Sequence, residues 1–130
     1  MRNLDEVNEY FGKDKYATEQ TGAKILEAGD NYSKVMLTID DRHKNARGFV
    51  MGGVFYTLAD FAYAVATNSK DYAAVTVTAS ISFLKPPKGN ELYAEATPVK
   101  DGRSILFYEV KVTDDLGNHV AQVSITGARV

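Results

Sequence analysis

Leu4, Val7, Tyr10 and Phe11 recur at three- and four-residue intervals among polar neighbours, the stripe of a short amphipathic helix that has to rest on something apolar. A polar stretch follows. Two strands are predicted next, over about residues 23–28 and 34–39, joined by Gly29-Asp30-Asn31, which has the residue types of a tight turn. Residues 40–51 are charged and include Gly48, so they read as a loop leading through Gly52-Gly53 into the run 54–66. That run is apolar on nearly every side. Its length and alanine content favour helix over strand, and a helix hydrophobic all round has to be enclosed by other elements. Asn68-Ser69-Lys70-Asp71 ends it.

From residue 73 the period changes to two, with Val75, Val77, Ala79, Ile81 and Phe83 on one face and Thr76, Thr78, Ser80 and Ser82 on the other, the pattern of a long strand. Pro86-Pro87-Lys88-Gly89-Asn90 turns the chain into a strand near 91–99. Asp101-Gly102 turns it again, 105–113 alternates apolar with charged, and a turn over 114–118 leads into a last strand over 120–128. Six strands with one buried helix between the second and third imply a single α+β domain over residues 1–130, an antiparallel sheet curled around that helix. One helix covers one face only. The other face meets solvent or another subunit, and its Thr and Ser rows predict that it is partly polar.

Composition narrows the partners. In 130 residues, 15 basic and 17 acidic side chains give a net charge of -2, and no segment gathers Lys and Arg into the stripe that a phosphate backbone needs, so nucleic acid is excluded. Cysteine is absent, which removes disulfides, thiolate metal sites and a cysteine nucleophile, and two histidines are too few for a histidine metal cluster. Charges at Arg2, Asp5 and Glu6 stand where a secretory signal needs an apolar core, and the run 54–66 is too short to cross a bilayer. The expectation is a cytoplasmic protein with no membrane partner.

Asp60 is the first candidate for chemistry. A carboxylate inside an apolar helix is costly unless it is paired, hydrogen-bonded or at a cleft, so it is either a structural carboxylate or a catalytic base. Gly52-Gly53, at the helix entrance, leaves N–H groups that the helix does not pair. This is either an oxyanion hole or a turn that needs permissive dihedrals. Eight residues of helix separate Gly52 from Asp60 by about 12 Å along the axis, so one substrate carbonyl cannot touch both. If both act on one atom, the second comes from another copy of the helix, lying alongside and antiparallel in a dimer.

Asn45-Ala46-Arg47-Gly48-Phe49-Val50-Met51-Gly52-Gly53 followed by Leu58-Ala59-Asp60 resembles the hot dog fold thioesterases of the phenylacetic-acid-degradation (PaaI-like) group, whose pattern is Asn-x-x-Gly-x-x-His-Gly-Gly-x-x-x-x-Leu-x-Asp. The likeness runs on through Asn68-Ser69, Phe83-Leu84-Lys85-Pro86 and the Gly102-Arg103 turn. It implies a hot dog fold, with an acyl-coenzyme A thioester as substrate, no metal, and no cofactor beyond the coenzyme A of the substrate itself. It also implies a homodimer or homotetramer with composite active sites at the dimer interface. By the same resemblance Asp60 is the general base or nucleophile, and the Gly52 amide polarises the thioester carbonyl. Asn45 helps to bind or orient the reacting group, and Thr76 carries the hydroxyl that positions water. Lys85, Arg103 and Arg47 meet the coenzyme A phosphates. Taken alone, Asn45 reads as a turn-holding loop residue, Thr76 as a strand threonine and the three cations as solvated charges.

One position departs from the pattern: Met51 stands where the family has histidine. The proposed chemistry uses the backbone N–H and the carboxylate, so hydrolysis remains the expectation. His43, in a charged loop without a serine nucleophile motif, reads as a surface residue. A rival reading is a non-catalytic module that holds an acyl-coenzyme A or acyl-protein in the same cleft, which needs the pocket but not Asp60. A dehydratase of this fold fits less well, because no histidine partner for the carboxylate is placed near it.

Overall fold

The computed structural model describes residues 1–130. Helix α1 (Leu4–Phe11) is followed by a π-helical turn (Tyr16–Gln20), strands β1 (Lys24–Gly29) and β2 (Tyr32–Thr38), a 3-10 turn (Asp41–His43) and helix α2 (Gly52–Thr67). Strands β3 (Ala74–Phe83), β4 (Glu91–Asp101), β5 (Ile105–Asp114) and β6 (His119–Arg129) complete the chain. Each helix and strand read from the hydrophobic pattern forms. The polar stretch after α1 holds an element the pattern did not show, the π turn, which buries Ala17.

The strands form one antiparallel sheet in the order β1-β2-β4-β5-β6-β3. The chain leaves β2, crosses one face of the sheet as α2 and enters β3 at the far edge. Leu58, Ala59, Ala62, Val65 and Ala66 of α2 lose all exposure in a core with Val35, Leu37, Leu92, Ala94, Ala96, Leu106, Val110 and Val112. Alanines on both layers keep side chains short, so the helix lies close to the sheet. Ser33 Oγ donates to the Ala62 carbonyl at 2.5 Å, one direct link between the layers.

The two ends of α2 are treated differently. At the C-terminal end Arg2 donates to the Val65 and Asn68 carbonyls at 2.6 and 2.9 Å, and Arg129 donates to the Thr67 carbonyl at 2.7 Å. Arg129 is held in turn by Asp101, 3.0 Å away. Two cations therefore satisfy the negative end of the helix dipole. The N-terminal end has no side-chain cap.

Two expectations are corrected here. Helix α2 is not enclosed all round: Gly53 and Asp60 are exposed and Tyr56, Thr57 and Ala64 half-buried, a continuous stripe at three- and four-residue spacing. The sheet covers one side of the helix, while α1 and the π turn cover only part of the other. Strand β3 does not keep one phase. A bulge between Thr76 and Thr78 places one extra residue in the strand. Residues before it are thereby turned by one position relative to those after it. Ala74 and Thr76 share the helix-facing side with Ile81 and Phe83, and Val75 points outward with its partner Ala128.

Candidate active site

Asp60 projects from the middle of α2 into a cleft of about 290 Å³ between that helix (Thr57, Phe61, Ala64) and the segment Asp14, Lys15, Tyr16 and Ala17. In the single chain it is exposed, so of the ways a carboxylate can be tolerated in an apolar helix, the cleft is the one realised. The cleft walls still cover part of the carboxyl, and this partial desolvation pushes it above the usual carboxylate range, with the charge of Asp14 adding to the rise. One turn earlier, burial raises the Tyr56 hydroxyl, with the Asp60 charge contributing. A larger hollow of about 650 Å³, lined among others by Arg2, Glu6, Tyr10, Lys70 and Tyr72, lies beside α1. Its groups are ordinary surface charges of both signs, and none of the candidate residues reaches it.

At the entrance of α2, Val54 N–H donates to the Met51 carbonyl at 3.0 Å, but no acceptor in the chain meets the N–H of Gly52 or Gly53. A Cβ on Gly52 would stand 2.9 Å from the Phe83 ring, whereas nothing lies within 4 Å of one on Gly53. Glycine at 52 thus lets an aromatic ring close against the helix start. Phe83, Met51 and the nearby Phe49 each keep about half of their apolar surface exposed. Two unpaired donors stand beside apolar surface, an arrangement that suits a carbonyl carried on an apolar group.

The loop before them is rigidly tied. Asn45 Oδ1 accepts from the N–H groups of Arg47 and Phe49 at 3.0 and 3.1 Å, its own N–H donates to the Phe49 carbonyl at 2.7 Å, and Gly48 closes the turn at a φ of 87°. The oxygen of Asn45 is therefore committed to the turn, and its amide NH₂ remains on the surface. His43 is corrected from surface residue to buried anchor, 2% exposed. Its Nδ1 accepts from the Asp40 N–H at 3.0 Å and its Nε2 donates to the Thr21 carbonyl at 2.7 Å. Its own carbonyl takes the Met51 N–H at 2.9 Å, which sets the approach to Gly52. With Nδ1 accepting, the ring is neutral, so its 3.4 Å separation from Asp40 Oδ1 is not an ion pair.

Thr76 is exposed on the helix-facing side of β3, opposite Gly127. The Tyr63 hydroxyl donates to the neighbouring Val75 carbonyl at 3.3 Å. Tyr63 is three residues beyond Asp60 on α2, so Thr76 sits where the edge strand meets that helix. Lys85, Arg103 and Arg47 are exposed and form no ion pair in the chain. Lys85 follows the end of β3, whereas Arg103 lies at its start, where Val130 N–H donates to the Ala73 carbonyl and Arg129 N–H to Ser104. The ten residues of β3 put these two cations roughly 30 Å apart along the sheet.

One chain therefore brings together Asn45, Met51, Gly52 and Phe83 at one place, and Asp60, Tyr56 and Asp14 at another, two helical turns away. Asp14 is absent from the sequence reading, because a polar stretch without periodicity gives no sign of what it will face. The buried role of His43 did have a signal: Asp40-x-x-His43 has the spacing of a capping box, and both of its hydrogen bonds form.

Comparison with known proteins finds relatives in both sequence and structure. The family model described as "Thioesterase superfamily" matches residues 47–121. A protein of Archaeoglobus fulgidus that carries an esterase name is 32% identical, over 98% of this chain and 83% of its own. The Escherichia coli acyl-coenzyme A thioesterase PaaI is 30% identical over 77% of this chain and 72% of its own. A solved structure of the E. coli PaaI protein superposes with a TM-score of 0.84, covering 98% of this chain and 96% of that one at 24% identity. A Streptococcus mutans protein solved with acetyl CoA bound superposes with a TM-score of 0.77, at 28% identity over 83% of this chain and 88% of that one.

Proposed function

The chain belongs to the thioesterase superfamily, and on that premise we propose that it hydrolyses acyl-coenzyme A thioesters, with Asp60 as base or nucleophile and the Gly52 N–H as oxyanion donor. It is a thioester hydrolase of the hot dog fold. The observation that carries the finer reading is the open stripe of α2, which has unpaired N–H groups at one end and an unpaired carboxylate two turns on. A helix saturated by arginines at its C-terminus and left without partners at its N-terminus presents donors to a ligand.

In this reading Gly52 N–H binds the thioester oxygen and stabilises the negative charge that develops on it. Asp60 either takes a proton from the water that attacks the carbonyl carbon, or attacks that carbon itself to give an anhydride that water then opens. On both routes the carbon–sulfur bond breaks, the electron pair leaves on sulfur as coenzyme A, and the acid is released. Asn45 holds the turn ahead of Gly52 and offers its free NH₂ to the reacting group, and Thr76 aligns the water.

Because Gly52 and Asp60 are about 12 Å apart on one helix, the site is completed by a second copy. Strand β3 supports this. It is an edge of the sheet, only Ala74 and Ile81 in it are even half-buried, and Val75, Val77 and Phe83 leave apolar surface exposed. An edge of that length and character invites pairing with another strand. Antiparallel pairing of two β3 strands lays the two α2 helices side by side. It also brings the Lys85 end of one copy toward the Arg103 end of the other, so two cations that are far apart in the chain face one coenzyme A.

The test is hydrolysis of a panel of acyl-coenzyme A esters, followed with a free-thiol reagent, by the protein and by Asp60→Asn. Turnover of the best substrate should fall at least about a hundredfold, with an unchanged circular dichroism spectrum. An Asp60→Asn protein within a fewfold of the parent would remove Asp60 from the mechanism. A panel with no hydrolysed member would remove the substrate class.

A further inference from the structure

We propose that Asp14 is a positioning residue of the active-site cleft: it lines the same cleft as Asp60 from a separate segment, and its negative charge sets how readily Asp60 acts as a base. The inference rests on the reading of Asp60 given above and adds a residue that neither the motif nor the helix contains.

The geometry is that of one cleft with two walls. Asp60 stands on α2, and Asp14 stands on the connection between α1 and the π turn. That connection is fixed rather than trailing. Asp14 N–H donates to the Phe11 carbonyl at 3.0 Å, the Asp14 carbonyl accepts from the N–H and the hydroxyl of Thr18 at 2.9 and 3.0 Å, and Phe11 packs edge-on against Phe61 of α2. These bonds fix the backbone of Asp14 beside the cleft, and its carboxylate takes no hydrogen bond in the chain.

The other titratable groups around the space do not quench the pair. Lys15, the one cation in the cleft, is drawn to Glu19 at 3.1 Å. Tyr16 lines the rim, and Tyr56 and Tyr63 approach from α2, where burial raises both hydroxyls and keeps them neutral at ordinary pH. No hydrogen bond and no cation contributes to either carboxylate. Burial raises both, and the charge of Asp14 raises Asp60 further. A base has to hold its proton firmly enough to be useful and still be ionised at working pH. A second carboxylate nearby moves it in that direction without blocking it.

The experiment is the pH profile of kcat/KM for the protein, Asp14→Asn and Asp14→Glu, with the Asp60 carboxyl followed in parallel by carbon NMR across the same pH range. Asp14→Asn should move the acidic limb to lower pH and lower the plateau severalfold, since the base becomes weaker. The Asp60 carboxyl signal should move with it. Asp14→Glu should return both toward the parent. The shift should shrink in high salt, as a Coulomb effect between partly exposed groups does. If the Asp60 signal titrates identically with and without Asp14, or if Asp14→Asn alters KM alone, the proposal is overturned. The NMR arm does not require turnover, so failure of the catalytic reading of Asp60 would be seen separately, as an active Asp60→Asn protein.

Discussion

Asp60 is held above its unfolded value of 3.8 in the folded chain, first by burial and then by Asp14. The native state therefore binds a proton at that site more tightly than the unfolded chain does. The stability this group contributes is fully present below pH 3.8 and is lost as pH rises through the folded value. At neutral pH the ionised carboxylate is consequently a weakness of the fold. Asp60→Asn, uncharged at every pH, should melt at a higher temperature than the parent at pH 7, and the difference should vanish below pH 3.8. Thermal melts at the two pH values check this, and equal melting at both would mean that the cleft does not disfavour the charge. Asp114 shows the opposite sign. Burial opposes its ionisation, but the Asn118 side chain and the N–H groups of Lys88, Asn118 and Gly89 outweigh burial and hold it well below the usual range. That carboxylate ties the β5–β6 turn to the loop before β4, and acid should loosen that end of the sheet.

At the scale of elements, the bulge in β3 decides which of its hydroxyls face α2. It turns Thr76 to the α2 side, next to the carbonyl that Tyr63 engages, and this is the hydroxyl that the proposed mechanism uses to align a water. Thr76→Val keeps the shape and removes the hydroxyl, so kcat should fall a fewfold with KM nearly unchanged. A raised KM with intact kcat would make Thr76 a substrate contact instead. The same strand shows what the sequence could and could not disclose. The period of two revealed a strand over 74–83, because alternation survives wherever a strand is half-covered, but it could not reveal the extra residue at the bulge. Helix α2 was legible through its length and alanines. Its open stripe was not, since Tyr56, Thr57 and Ala64 differ little from residues that pack inward, and Asp60 alone marked the gap. His43 was misread because its charged neighbours mask a ring whose partners, Asp40 and Thr21, come from either side of β1 and β2. The separation of Gly52 from Asp60 on one helix was legible by spacing, and Asp14 was visible only once the chain had folded back.

At the scale of the whole molecule, the separation of Gly52 and Asp60 by about 12 Å on one rigid helix makes the proposed site testable as a property of two chains. Combine a chain carrying Asp60→Asn with one carrying Gly52→Pro, since proline removes the donor and is tolerated at the first position of a helix. In a composite arrangement one site of the mixed dimer receives both defects and the other receives neither. If each site lay within one chain, every site would carry one defect and all would be silent. Unbiased mixing gives about half mixed dimers with one working site of two, so roughly a quarter of the parent activity should return from two inactive parents. The structure also dictates the control. Any side chain at position 52 meets the Phe83 ring at 2.9 Å, so Gly52→Pro could fail by displacing that ring rather than by losing its N–H. Phe83 is more than half exposed and its ring can swing aside. Gly52→Ala introduces the same Cβ and keeps the donor, so it should retain most activity, and Phe83→Ala with Gly52→Pro should remain inactive although the space is cleared. Recovery in the mixed dimer, with Gly52→Ala active, identifies the N–H of one chain and the carboxylate of the other as parts of one site. Mixed dimers that are well folded and as inactive as both parents would show that the two groups do not meet across β3, and the composite mechanism would then be abandoned.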